Sequence, residues 1–255
     1  MFTLRHSGRM GDVLYSLYYA THLTHGKPFN FLLRANVRDY CDPSGRRYLM
    51  ERGDAEFMSP LLEYQPYINR VTIAENEREI PQDAFMLDKF RMNMYGVIGR
   101  EIRTWYYGVR ENIPAGEFSR KVLSAPDFYD RRAKFAICFT QRYREAFDVE
   151  PVLREYKDDL VFVGLPEEHR DFCRECFDVD YKPVAHALDL LSFLQSCRGF
   201  IGNVSGTYAI AECAKIPRIL CLARDNGNVR VYGNGVEVKD PETLKTTIEN
   251  MRKTP

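Results

Sequence analysis

Short apolar runs alternate with amphipathic helical patterns along the second half of the chain, and this alternation restricts the fold more than any other feature. The apolar runs predict strands at KFAICF (134–139), DLVFVG (159–164), GFIGN (199–203) and PRILCLA (217–223). The helical patterns predict helices at 166–177, 187–197, 205–216 and 241–253. Strands and helices that alternate in this way form parallel sheets, and continuous apolar strands indicate that helices cover both faces. The sequence therefore predicts an α/β fold.

The first half of the chain shows the same order less clearly. FTLRH (2–6), FNFLLR (29–34) and RVTIA (70–74) predict strands, and VLYSLYYATHL (13–23) predicts a helix capped by Asp12. Between 76 and 130 the periodicity is poor. We place a boundary in the loop-like stretch at 115–132, which gives an N-terminal domain at 1–125 and a C-terminal domain at 126–255.

Composition restricts the class of protein. The chain has 36 basic and 36 acidic residues, so its overall charge does not favour a nucleic-acid coat or a membrane-surface protein. The start is polar, without the apolar region of a signal peptide, and no apolar run approaches the roughly 20 residues of a membrane span. Seven cysteines, several inside apolar runs, suit free thiols in a reducing compartment. We expect a cytoplasmic protein without a membrane span.

The turn HSGRMGD (6–12) follows the first predicted strand and contains the first candidate site residues. Gly8 and Gly11 allow the backbone to approach a bound group closely, and Asp12 lies at the mouth of the next helix. Asp12 is either a general base or simply a helix cap.

A second candidate site follows the strand at 134–139. Thr140, Arg142 and Arg144 come directly after it. Because a guanidinium group forms paired hydrogen bonds with phosphate oxygens, the two arginines are candidates for holding a diphosphate. The alternative is a solvated basic loop.

The third candidate lies at FIGNVSGTYAIAE (200–212), where a strand ends and small residues open a helix. Exposed N–H groups and the helix dipole attract anions at such a point. We predict phosphate contacts from the turn and a ribose contact from Glu212; the alternative is a cap on a packing helix. Together with Gly164 at the end of another predicted strand, the nucleotide-binding candidates of this region are Asn203, Ser205, Gly206, Thr207 and Glu212.

His169, Cys173 and Cys176 lie at helical spacing and share one face of a predicted helix. Three such side chains are possible zinc ligands, but no fourth ligand is evident, so packing is the better interpretation. We predict no metal and no cofactor.

The run CRGFIGNVSGTYAIAECAKIPRIL (197–220) resembles the C-terminal signature of glycosyltransferase family 9, the ADP-heptose:lipopolysaccharide heptosyltransferases and their relatives. RHSGRMGDVLYSL, LLEYQPYINRV and LVFVGLPEEH are similar to other parts of that family. The resemblance implies a GT-B architecture, in which two Rossmann-like domains face a central cleft. It also implies that Asp12 is the catalytic base, that Thr140 with Arg142 or Arg144 holds the diphosphate, and that Ser205 and Gly206 hold phosphate.

The function implied is sugar transfer from a nucleotide diphosphate sugar to an acceptor hydroxyl, with inversion and without a metal. The acceptor is either a surface glycan or a modified nucleobase in DNA. Two departures from the family pattern, Val204 in place of aspartate and Ala209 in place of histidine, support an alternative: an inactive nucleotide-binding or sensing module. Another α/β nucleotide enzyme, such as an epimerase or a hydrolase, is a third possibility. The sequence does not indicate an oligomeric state.

Overall fold

The chain forms two compact units, each built around its own parallel sheet. The computed structural model describes residues 1–38, 48–88, 115–127, 131–141, 147–222, 229 and 231–253. Unit 1 comprises Met1–Glu117 and His186–Leu188, and unit 2 comprises Phe118–Ala185 and Asp189–Pro255. The sequence placed the domain boundary after residue 125. The amides of Val122 and Leu123 both donate to the carbonyl of Cys213, and these bonds tie this stretch to unit 2.

Unit 1 contains four strands and two α-helices among its described residues. They are β1 (Thr3–His6), α1 (Met10–Leu23), β2 (Phe29–Arg34), α2 (Arg52–Glu63), β3 (Ile68–Ala74) and β4 (Phe85–Met86). The strand order is β3-β2-β1-β4, and every pairing is parallel. Leu4 of β1 lies opposite Phe31 of β2 and Phe85 of β4, so β1 lies between β2 and β4.

Among its described residues, unit 2 has a five-stranded parallel sheet. Its elements are β5 (Arg131–Cys138), α3 (Glu150–Glu155), β6 (Leu160–Phe162), α4 (Pro166–Glu175), α5 (Ala187–Ser196), β7 (Cys197–Gly202), α6 (Gly206–Cys213), β8 (Arg218–Cys221), β9 (Gly235–Val238) and α7 (Pro241–Lys253). The strand order is β6-β5-β7-β8-β9. The alternation of strands and helices thus confirms the predicted α/β class with two parallel sheets.

Each sheet has one point where the direction of winding reverses. In unit 1 the chain moves from β1 to β2 and β3 on one side and then adds β4 on the other side of β1. In unit 2 it moves from β5 to β6 and then returns to add β7 on the other side of β5. Ligands of open α/β sheets bind outside the carboxyl ends of the strands at such a switch point.

The two sheets differ in how they are covered. In unit 2 the strands β6 and β8 are buried along their whole length, and Phe135, Ile137 and Ile201 are fully buried in the core. In unit 1, β1 alternates between half-buried and buried residues and β3 exposes three of its seven residues, so this sheet is less buried than the sheet of unit 2. The less buried face carries Arg5 and Arg34, which both pair with Glu77.

The first helix starts earlier than the sequence predicted. We expected it to begin at Val13 with Asp12 as its cap, whereas α1 begins at Met10 and its N-cap is Arg9. Gly11 therefore lies inside the helix, and Asp12 is the third helical residue. An acidic side chain in the first turn interacts favourably with the helix dipole, which explains the cap-like sequence signal. In the described ranges no helix has the length and apolar character to cross a membrane.

Candidate functional site

The switch point of unit 2 lies where β5 and β7 end side by side. Cys138, the last residue of β5, is paired with Gly202, the last residue of β7. A Cβ atom at position 202 would lie 2.2 Å from the carbonyl oxygen of Cys138. Only glycine therefore allows the two strand ends to approach this closely.

Asn203 joins the two strand ends beyond the last ladder pair. Its Oδ1 accepts a hydrogen bond from the Thr140 amide at 2.9 Å, and its Nδ2 donates to the Thr140 carbonyl at 2.7 Å. Its side chain is buried. Both ends of the side-chain amide are thus hydrogen-bonded to the backbone of Thr140. Asn203, which the sequence predicted as a ligand residue, lies at the site and acts as a clamp that holds the two strand ends together.

Thr140 leaves a polar atom unsatisfied at this point. Its Oγ1 is buried and has no hydrogen-bond partner among the residues that the structure describes. An unpaired buried hydroxyl costs free energy, so a group that bonds to it is stabilised. Arg142 and Arg144, the other two predicted diphosphate residues of this loop, lie outside the described residues.

The start of α6 forms the second wall of the switch point. Ser205 is the N-cap, and its hydroxyl accepts a hydrogen bond from the Tyr208 amide at 3.0 Å. Gly206 is the first helical residue and the buried Thr207 is the second. The first amides of a helix have no acceptor within it, so the turn presents donors to an anion. Ser205, Gly206 and Thr207 thus lie where the sequence predicted, whereas Val204 is half-buried and Ala209 is buried in the helix.

Cys138 lies between the strand ends and the start of α6, and we call its position the floor of the site. Burial, and next the charge of Glu168, raise the pKa of its thiol to about 12, although hydrogen bonds from Thr207 and Ser205 act in the opposite direction. The side chain is therefore a neutral thiol at physiological pH. Its contact with both hydroxyl residues shows that β5 and the start of α6 meet at this floor.

Gly164 and Glu168 border the same floor from the side of β6. A Cβ atom at Gly164 would lie 2.9 Å from Glu168 Oε2 and 3.1 Å from Cys138 Sγ. Glu168 Oε2 accepts a hydrogen bond from the Leu165 amide at 3.1 Å and lies 4.0 Å from Cys138 Sγ. Sequence analysis missed Glu168, although proline at the first helical position with glutamate two residues later is a helix-start signal.

Glu212 is fully buried in an ion-pair network. Its carboxylate accepts hydrogen bonds from Lys215 Nζ at 2.7 Å and from Arg218 Nε at 2.8 Å. Arg218, also fully buried, donates to the carbonyls of Ile216 and Tyr232 as well. Burial lowers the pKa of Lys215 even though Glu212 opposes the shift. These ion pairs give Glu212 a structural role, and the ribose contact predicted for it stays a prediction.

The switch point of unit 1 is bridged in a similar way. Asp88, just beyond β4, accepts hydrogen bonds at its Oδ2 from the Ser7 amide at 3.1 Å and from the Ser7 hydroxyl. The amide of the buried Gly8 donates to His6 Nδ1 at 2.8 Å. Asp12 follows in the first turn of α1 with 9 % of its surface exposed. Sequence analysis missed Asp88; the available signal was an acidic residue that ends the apolar run AFML.

His169 and Cys173 take part in packing. His169 Nε2 lies 2.9 Å from the Val179 carbonyl and 3.3 Å from Cys173 Sγ, and its ring stacks on Tyr181. Within the described ranges no group of three or more potential ligands is arranged to hold a metal ion.

The described candidates thus form two groups on separate units. The unit 2 switch point brings together Thr140, Gly164, Asn203, Ser205, Gly206 and Thr207. The turn at the unit 1 switch point brings together Gly8, Gly11 and Asp12.

Comparison with known proteins gives matches in structure only. Neither protein-family models nor curated protein sequences match the chain. A glycosyl transferase family 9 structure from Veillonella parvula superposes with a TM-score of 0.62 at 10 % identity, covering 99 % of this chain and 89 % of that one. The E. coli ADP-heptose lps heptosyltransferase II superposes with a TM-score of 0.60 at 11 % identity, over 99 % of this chain and 98 % of the other.

A third solved structure is the E. coli heptosyltransferase WaaC with ADP-2-deoxy-2-fluoro heptose. It gives a TM-score of 0.56 at 10 % identity and covers 98 % of this chain and 99 % of that one. All three alignments span both units, and identity this low establishes the fold alone. The chain therefore has the GT-B-like fold of these glycosyltransferases, with two parallel α/β units.

Proposed function

We propose that the protein is a glycosyltransferase that uses a nucleotide diphosphate sugar, with the donor bound at the switch point of unit 2. The observation that carries the proposal is the buried Oγ1 of Thr140, which has no hydrogen-bond partner in the described part of the chain and lies beside the opening turn of α6. This hydroxyl and the amides of Gly206 and Thr207 are donors of the kind that bind a diphosphate. The solved structures with this fold include one with ADP and one with an ADP-sugar.

The chemistry of each side chain indicates which part of the donor it contacts. The diphosphate lies against Thr140, Ser205, Gly206 and Thr207, and Arg142 or Arg144 neutralises its charge. Glu168 replaces Glu212 as the carboxylate for a ribose hydroxyl, because it borders the floor of the site at the end of the second strand of unit 2. An acidic residue that follows the second strand has this role in Rossmann-type sites.

The reaction is a single displacement. Asp12 accepts the proton of the acceptor hydroxyl, the oxygen bonds to the anomeric carbon, and the bond to the diphosphate breaks. One displacement inverts the anomeric configuration. The leaving diphosphate gains negative charge, which the arginines and the first turn of α6 stabilise without a metal. The acceptor is a surface glycan or a modified nucleobase in DNA.

An inactive nucleotide-binding module of the same fold is the second candidate. Val204 and Ala209 favour it, since an apolar and a small side chain stand where the resembled family has polar ones. A module of this kind binds a nucleotide at the unit 2 site, and Asp12 takes no part in a reaction.

The deciding experiment is incubation of the pure protein with UDP-, GDP-, ADP- and CMP-sugars and candidate acceptors, followed by mass spectrometry. Nucleotide release coupled to a glycosylated acceptor, lost in Asp12→Ala, supports the transferase. Binding of a nucleotide without turnover on any acceptor supports the module. Release of free sugar to water in both proteins contradicts both candidates and supports a hydrolase.

We also propose a cytoplasmic location. The six described cysteines are free thiols, and four of them are buried. Thiols of this kind persist in reducing compartments. Fractionation of cells with an antibody against the protein tests the location.

A further inference from the structure

The inference concerns Asp88, which lies at the switch point of unit 1. The ladder between β1 and β4 pairs Leu4 with Phe85 and Arg5 with Met86, so Asp88 follows β4 alongside the residues that follow β1. Asp88 is 6 % exposed. Its Oδ2 receives two hydrogen bonds from one residue, Ser7, through the amide and the hydroxyl.

These bonds hold the turn that connects β1 to α1. The Gly8 amide donates to Nδ1 of the fully buried His6, which fixes the turn at a second point. The first helical bond then runs from the Val13 amide to the Arg9 carbonyl at 3.1 Å. The turn is therefore fixed to β1 and to β4 before the helix begins.

Asp12 depends on this arrangement because it lies in the first turn of α1. A carboxylate that removes a proton must be within hydrogen-bond reach of the reacting hydroxyl. A misplacement of about 1 Å costs on the order of 100-fold in rate.

We propose that Asp88 is a positioning residue, which holds Asp12 in place through Ser7 and the turn that follows. The inference rests on the proposed function for the role of Asp12 as the base. It requires no contact between Asp88 and the substrate.

The test compares Asp88→Ala, Asp88→Asn and Ser7→Ala. The asparagine retains an oxygen that accepts both bonds from Ser7, the alanine at position 88 removes both, and Ser7→Ala removes only the hydroxyl bond. Asp83→Ala is the matched control, since Asp83 is an exposed aspartate in the same segment. Hydrogen–deuterium exchange of the peptide that covers residues 7–13 and steady-state kinetics are measured for each protein.

We expect Asp88→Ala to speed exchange in this peptide at least about tenfold, because the turn opens more often. Its kcat should fall about 10- to 100-fold while the KM for the nucleotide sugar changes little, since the donor site lies on unit 2. Asp88→Asn should remain within about threefold of the wild type in both measurements, and Ser7→Ala should be intermediate. If Asp88→Ala does not fold, Ser7→Ala and Asp88→Asn decide the question.

Unchanged exchange in Asp88→Ala overturns the proposal. So does an Asp88→Asn variant as inactive as Asp12→Asn with normal exchange, since Asp88 would then take part in the chemistry itself. The exchange measurement needs no turnover. A wild-type protein that transfers no sugar therefore contradicts the proposed function, while exchange still decides whether Asp88 holds the turn.

Discussion

Asn203 shows how a residue that looks like a ligand contact in sequence can belong to the frame of a site. It follows an apolar strand, and asparagine at that position suits a phosphate or a sugar hydroxyl. In the structure its amide pairs with the backbone of Thr140, just beyond the end of the neighbouring strand. The sequence predicted that Asn203 follows a strand, but it could not show that a residue 63 positions earlier supplies the partner.

Asn203→Ala should therefore lower the free energy of unfolding. The substitution leaves the amide and carbonyl of Thr140 without their partner, at a cost of about 1–3 kcal/mol. Chemical denaturation followed by circular dichroism measures the loss. The control is Asn234→Ala, which removes an exposed asparagine and should change stability by less than about 0.5 kcal/mol. Equal effects of the two substitutions would contradict the role of Asn203 as a clamp.

The buried thiol of Cys138 predicts a pH dependence of stability. Its pKa is raised from 9.0 to about 12 in the folded protein, so the unfolded chain loses its thiol proton first as the pH rises. Stability from this group is complete below pH 9 and decreases by about 1.4 kcal/mol per pH unit between pH 9 and pH 12.

Measuring the free energy of unfolding between pH 7 and pH 11 tests whether stability decreases in this direction. The difference in stability between the wild type and Cys138→Ala should shrink as the pH rises above 9. A constant difference for Cys138→Ala over this pH range would mean that the thiol ionises normally in the folded protein.

At the scale of elements, the sequence predicted which segments form strands and helices better than it predicted where they begin and what covers them. The period of apolar residues is a local property, so β2 and α7 were found at their observed positions. The sequence predicted that α1 begins at Val13, three residues later than observed. By local pattern Gly11 and Asp12 favour a turn, whereas in the structure they are helical and follow a turn that Ser7 fixes. Asp88 was missed because its partner Ser7 lies 81 positions away in the sequence. The partners of Glu212 are close in sequence, but its complete burial beside them depends on tertiary packing, which the sequence pattern does not show.

The close approach of β5 and β7 gives a prediction at this scale. Gly202→Ala places a Cβ atom against the Cys138 carbonyl and forces the strand ends apart. We expect a loss of about 1–3 kcal/mol in stability and at least about tenfold weaker nucleotide binding, because the floor of the site is distorted. Denaturation and isothermal calorimetry measure the two effects.

The control for this substitution is Gly53→Ala in α2, where an added Cβ meets nothing within 4 Å. Alanine is the better helix former, so this variant should be more stable by about 0.5–1 kcal/mol and bind nucleotide normally. If Gly202→Ala behaves in the same way, the strand ends tolerate separation and the prediction is wrong.

At the scale of the whole molecule, the proposed work is divided between the two units. The proposed donor contacts lie in unit 2, and the proposed base lies in unit 1. Substitutions in one unit should therefore affect binding and chemistry separately. The alternation of strand and helix in each half allowed two α/β units to be predicted from the sequence, whereas the roles proposed for them rest on the resemblance to the heptosyltransferases.

Asp12→Asn should abolish transfer yet leave the Kd for the nucleotide within about twofold, because the variant changes nothing in unit 2. Thr140→Ala should weaken nucleotide binding about fivefold, which corresponds to roughly 1 kcal/mol for one hydrogen bond. Calorimetric titration with the nucleotide identified by the sugar panel gives both values. Strong weakening by Asp12→Asn would place the aspartate in the donor site and contradict the division of roles.

The buried pair of Glu212 and Arg218 has a consequence for how the sequence of this protein evolves. Arg218 is paired in the interior with Glu212, which also binds Lys215, so losing either member of the buried pair alone costs far more than replacing both by apolar residues. Mutations at the two positions are therefore expected to be inherited together. Diverged descendants of this chain should keep the acid with the base or exchange both for apolar residues, and a lineage that carries only one of them should be rare.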